Sequence, residues 1–266
     1  MKCVNKIVLL SDEKTSLTGK SFFAGMQKHL EERKLKVWNL ALNLESDIAN
    51  AVYQFDRIAL EIQPDLLIVA DFACIKMQSP EEEPFYNNMT IPVIHLLFRR
   101  PWEYDVFMIW RCNFIDRYYT LIQEDVNHIR KFYSRVPIVK PFQEGLWNQE
   151  EKMVCYAGQY TMQQAESIYQ GLPEYMKTIA KRWCMIMERE NCSADTVGLR
   201  QCLKEIGFEC STGEYLDILY MMQGAFSLYY YKKQGEVPVE EIQIQPDVLQ
   251  EQIDEFLNLD FKVSLL

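Results

Sequence analysis

The chain has 266 residues, 48% hydrophobic and 13% aromatic, enough to bury at least one full core, and a prior of ~150 residues per domain gives one or two domains. Its 28 Lys and Arg against 38 Asp and Glu leave a formal charge of −10, which argues against nucleic acid or an anionic membrane surface as partner. The opening MKCVNKIVLLSDE holds about five consecutive apolar residues, short of the roughly 7–15 of a signal-peptide core, and no later run nears the ~18 that span a bilayer, so a cytoplasmic protein is expected.

Along residues 1–150, short continuous apolar runs alternate with segments of helical period. KIVLL (6–10), LKVWNLAL (35–42), DLLIVA (65–70), IPVIHLLF (91–98), RYYTLI (117–122) and PIVKPF (137–142) have the character of strands buried on both faces. Between them, SFFAGMQKHLEERK, DIANAVYQFDRIALEI and EDVNHIRKFYS repeat apolar residues at three- and four-residue steps. Phe22, Met26 and Leu30 form one such stripe, and Ile48, Val52, Phe55, Ile58 and Ile62 another. The β-α-β-α-β order predicts an α/β fold, a doubly wound parallel Rossmann-like sheet, in which ligands bind beyond the carboxyl ends of the strands. That rule gathers Ser11 and Asp12, Asp71 and Phe72, Arg99 and Arg100, Gln123 and Glu124, and Gln143, Glu144 and Gly145 on one rim.

In the first loop, SLTGKS carries the second half of a P-loop. Lys14 stands where the first glycine of GxxxxGK[ST] is required, and a bulky cation there blocks the backbone nest that wraps phosphate. A helix start near Thr18 or Gly19 with a solvated Lys20 is expected instead. Eight cysteines (3, 74, 112, 155, 184, 192, 202 and 210) form no CxxC pair and accompany only three histidines. Reduced, mostly buried thiols are expected, with no metal and no cofactor. His95, inside the fourth strand, reads as a packed core residue.

Residues 151–266 change character and predict a mainly helical subdomain with two short strands, MVCYAG and FKVSLL. PEYMKTIAKRWCMIMEREN has Pro173 at a first-turn position, SADTVGLRQCLKEIG lies between Ser193 and Gly207, and STGEYLDILYMMQGAFSLYYYKK opens on a Ser211/Glu214 capping box. The last stretch is apolar nearly all round, through Leu216, Ile218, Leu219, Met222, Phe226, Leu228 and Tyr229, so it forms the subdomain's centre or an interface. A further amphipathic helix, DVLQEQIDEFLN, follows the linker GEVPVEEIQIQP.

KIVLL, IQPDLLIVAD, NNMTIPVIHLLFRRP, RYYTLIQEDVNHIRKFYSRVP and MVCYAGQY, taken in order, resemble the amino-terminal, acceptor-side domain of a bacterial GT-B-type glycosyltransferase family related to the spore-maturation glycosyltransferases. LPEYMKTIAKRW is similar to a helical insertion that some members carry. The resemblance implies a glycan or glycoprotein acceptor. Two departures qualify it. The family's fourth strand ends in an acidic residue, often a His, and then Pro, whereas Arg99 and Arg100 precede Pro101 here, and an arginine cannot act as the base for an acceptor hydroxyl. The nucleotide-sugar pocket that the family builds after its last strands is also missing, so a component inactive alone is expected, with a companion carrying the donor domain or with a second copy.

The paired arginines beside Trp102 are candidates for holding a phosphate, sulfate or carboxylate through bidentate hydrogen bonds. On that reading, replacing both by alanine abolishes ligand binding and leaves the melting temperature nearly unchanged. The opposing reading pairs them with nearby acids, among them Glu81 to Glu83, Glu103 and Asp105. Tyr220, Tyr229, Tyr230 and Tyr231 predict an interface formed by residues 151–266. A non-catalytic ligand-binding or interaction module, and a nucleotide-binding protein with a degenerate P-loop, are the alternatives.

Overall fold

The structure is a computed structural model that describes residues 4–13, 15–74, 91–104, 117–133, 138–146, 160–190, 196–234 and 244–258. The six apolar runs become six parallel strands: β1 (Lys6–Asp12), β2 (Lys36–Leu42), β3 (Leu66–Ala70), β4 (Val93–Leu97), β5 (Arg117–Thr120) and β6 (Ile138–Pro141). They lie in the order β2-β1-β3-β4-β5-β6. β3 and β4 are buried at every residue, which is why their sequences run apolar without alternation. The order reverses between β1 and β3, so the switch point of this sheet lies between Asp12 and Asp71.

Helices cover both faces. On one, α1 (Leu17–Glu32) sets Phe22, Phe23, Met26 and Leu30 against Ile7, Leu9, Ile68 and Ile94. On the other, α2 (Ile48–Asp56), a π turn at Arg57–Ile62, and α3 (Gln123–Phe132) set Phe55, Ile58 and Ile129 against Val8, Leu10, Leu67 and Val69. The stripe expected on α2 is corrected at its start. Ile48 and Val52 are 61% and 46% exposed, and the small Ala51, fully buried, makes the close contact in their place.

The second half is helical: α4 (Met162–Gly171), α5 (Glu174–Glu190), α6 (Thr196–Glu205), α7 (Thr212–Met221), α8 (Gln223–Gln234) and α9 (Pro246–Leu257). The Ser211/Glu214 capping box is present, but the single helix expected over 211–233 is two, ending and restarting around Met222. Gly224 explains where the second one lies. A Cβ there would stand 2.7 Å from Ile168 Cγ2 and 3.0 Å from the Ala165 carbonyl, so α8 crosses α4 closer than any side chain allows. Gly224→Ala is therefore expected to cost about 1–3 kcal/mol through overpacking, read as a lower melting temperature. Gly213→Ala, in open space on α7, should cause no loss.

Tyr229 and Tyr231 are buried within this chain, and Tyr220 is 43% exposed. MVCYAG and FKVSLL lie outside the described residues. The last helix, α9, returns to the sheet: Phe256 meets Tyr119 edge-on at 4.7 Å, Lys140 Nζ donates to Glu255 at 2.8 Å, and Arg33 pairs with Asp254. One hydrophobic cluster consequently runs from Ile7 through Trp183 to Phe256, joining the sheet to the helical part. Among the described residues no helix is long and apolar enough to cross a membrane.

Candidate functional site

At the switch point the rim closes on itself. Asp12, at the end of β1, accepts a hydrogen bond from the Cys74 amide at 2.7 Å, and Asp71, just past β3, accepts one from the Ser16 amide at 2.9 Å. Each strand's terminal carboxylate thus holds the other strand's loop. Asp71 also accepts from the Phe98 amide at 2.8 Å and from the Tyr104 hydroxyl at 2.6 Å, tying in the end of β4 and the 3-10 turn Pro101–Glu103. These charge-assisted bonds hold Asp71, Phe72 and Cys74 at φ 49°, 56° and 61°, left-handed values that non-glycine residues adopt only when their surroundings impose them.

SLTGKS forms the capped start of α1. Ser16 caps α1, its side chain accepting from the Gly19 amide at 3.1 Å, so the helix begins at Leu17. The Ser16 amide, at the helix N-cap, is held by Asp71. Gly19 answers to packing: a Cβ there would lie 2.9 Å from the Phe98 ring and 3.0 Å from Thr15 Cγ2.

The paired arginines turn inward. Arg100 Nε donates to Asp125 Oδ1 on α3 at 2.6 Å, with both side chains essentially unexposed, and its guanidinium sits 5.7 Å from the Phe226 ring of α8. Arg99 stacks over the Tyr104 ring at 4.6 Å and reaches Asp71 at 3.9 Å. Both arginines pair with acids, but these are Asp71 and Asp125 rather than the neighbouring acids expected, of which Glu81 to Glu83 and Asp105 lie outside the described residues. Trp102 is the middle residue of the 3-10 turn.

No family model matches this chain, and no curated protein does.

The other rim candidates divide by position. Ser11 is buried in β1, and Phe72 turns into the core below the rim, its ring 5.0 Å from Tyr104 and 5.3 Å from His95. His95 is fully buried and stacks on Tyr118 at 4.8 Å, as a core histidine does. Gln143 and Glu144 follow β6, at the far end of the sheet from β1. The Gln143 amide donates to Gln252 of α9 at 2.8 Å, while Glu144 is exposed. Among the described residues no cluster of His, Cys, Asp and Glu could hold a metal ion, and Cys74, Cys184, Cys202 and Cys210 are free thiols.

In the sequence Glu103 stands out only as one of several acids available to pair with the arginines. It is 7% exposed, α7 packs against its turn, and its Oε2 finds no hydrogen-bond partner among the described residues. Burial pushes its carboxyl up to about 7, with Asp71 and Asp125 adding to the rise and Arg99 and Arg100 opposing it. Nearby on α3, His128 is driven down to about 3 by burial and by the positive charges of Arg100, Arg200 and Lys131. The signal that could have found Glu103 is its place in RRPWE, where proline opens a tight turn and fixes the acid beside two cations.

Proposed function

We propose that this chain is a glycosyltransferase-like, acceptor-side component that depends on a partner carrying the donor pocket. Glu103 carries the reading. The family resemblance calls for an acid near the end of the fourth strand, and a carboxyl whose pKa is about 7 can take a proton from an acceptor hydroxyl and return it near neutral pH. It stands three residues after Arg100, in a position where the order of residues first suggested that the acid was gone. Because Glu103 lies under α7, the chain alone is closed at this point, in keeping with a component that waits for its partner.

Incubated alone with a panel of labelled nucleotide sugars and glycan acceptors, the purified chain is expected to bind an acceptor and transfer nothing. Turnover by the chain alone would end the partner dependence, and no acceptor binding at millimolar concentration would end the acceptor-side reading. A second reading, a non-catalytic interaction module, is favoured by one observation: the switch-point crevice is stitched by its own carboxylates, Asp12 and Asp71. It predicts no glycan binding under any condition of the same assay.

A further inference from the structure

β2 is the edge of the sheet, with β1 as its one neighbour among the described residues. The Lys36 amide donates to Asn5 O at 2.9 Å. Backbone direction alternates along a strand, so Lys36, Trp38 and Leu40 turn their amides toward β1, while Val37, Asn39 and Ala41 turn theirs outward. Natural edges are blunted by shortness, proline, a bulge or charged side chains, lysine above all, and the one charge on this strand is Lys36 at its first position. This one runs seven residues, without proline, and in unbroken register with β1 from Lys36 to Leu42. Asn39 and Ala41 are exposed on it, and Trp38 and Leu40 are half-buried.

Its own residues and the turns beside it are opposite in charge at the two ends. Lys34 and Lys36 are exposed at the start, behind Glu31 and Glu32 in the last turn of α1, and Glu45 and Asp47 are exposed just past the finish. We propose that β2 pairs antiparallel with β2 of a second copy of this chain, about a two-fold axis at Asn39, joining two sheets into one. The pairing sets outward-facing Val37 opposite Ala41 of the other copy, and Trp38 opposite Leu40, an aromatic and an aliphatic side chain on the same face. It also brings the basic start of each strand to the acidic finish of the other, whereas a parallel pairing would set lysine beside lysine.

Further apolar surface lies on the same side of the sheet as Trp38 and Leu40. Trp38, Leu40 and Leu44 pack on the cluster beneath α2, and α2 exposes Ile48, Val52 and Tyr53 at 61%, 46% and 57%. A strand edge alone covers less than the ~1,200–2,000 Å² that specific interfaces bury, and these side chains extend it. This surface is separate from residues 151–266.

Sedimentation equilibrium of the full chain at tens of micromolar is expected to give a dimer. Ala41→Pro removes one outward amide without touching the ladder to β1, and should yield a monomer that melts with the parent once both are diluted until the parent has dissociated. Lys34→Glu should weaken the dimer about tenfold at low salt, and adding Glu45→Lys to the same chain should restore it. A monomeric parent chain overturns the proposal, as does a dimer that neither Ala41→Pro nor Lys34→Glu disturbs. Should Ala41→Pro fail to fold, the charge exchange decides alone.

Discussion

Arg100→Ala is expected to destabilise the chain by about 3–5 kcal/mol, because it strands a charge that the fold has sealed away from water. Arg100 is 1% exposed and its partner Asp125 is fully buried, with Nε and Oδ1 2.6 Å apart. Truncation leaves the Asp125 carboxylate without its counter-charge. It also removes the guanidinium that lies between the 3-10 turn, α3 and the Phe226 ring of α8, so one substitution loosens three elements at once. Urea denaturation of the parent and the variant at neutral pH measures the loss directly. Replacing the pair together, as Arg100→Met with Asp125→Leu, should recover most of it, since a packed apolar pair of similar volume is commonly neutral against a buried ion pair. This result runs opposite to the sequence expectation of an unchanged melting temperature for the arginine variants. A loss below about 1 kcal/mol, the range of exposed pairs, would return Arg100 to the ligand rim.

The strands were legible because burial on both faces leaves no room for alternation: VIHLL and LLIVA are apolar runs bounded by polar residues and are buried throughout. The helices were legible where one face alone is buried, as with Phe22, Met26 and Leu30. α4 was passed over although Thr161 and Gln164 form a capping box with both of its bonds. The break at Met222 was hidden because α7 and α8 are both apolar almost all round, so their periodicity carries no phase to interrupt. At the rim, the rule that strand ends face ligand found Asp12, Asp71, Arg99 and Arg100. What those side chains hold depends on partners far away in sequence. The Asp71 bond spans 55 residues and the Asp12 bond spans 62, and no local pattern encodes either. Nor could composition separate Glu103 from its neighbouring acids, since its proton affinity comes from being covered by α7.

Between pH 4.5 and 6.5, Glu103 and His128 together should give stability almost no pH dependence, because they act in opposite directions. The Glu103 carboxyl is raised from 4.5 to about 7 on folding. Its contribution is fully present below pH 4.5 and is lost as pH rises toward 7, where the folded chain must ionise a buried group, at about 1.4 kcal/mol per pH unit. His128 is lowered from 6.5 to about 3. Its contribution is present above pH 6.5 and is lost as pH falls toward 3, because the unfolded chain takes a proton that the folded chain refuses, with a slope of about 1.4 kcal/mol per unit in the other sense. In the shared window the two cancel. Glu103→Gln removes one side of the balance, so stability should then climb with pH by roughly 3 kcal/mol across the window, and the variant should exceed its parent at pH 8. His128→Gln should show the reverse, with stability falling as pH rises from 4.5 to 6.5. Denaturation midpoints for the parent and both variants at pH 4.5, 5.5, 6.5 and 8 test this, and variant profiles parallel to the parent's would mean that neither group is held as its surroundings require. The acid-base role proposed for Glu103 depends on the same raised proton affinity, so the stability profile checks it without a substrate in hand.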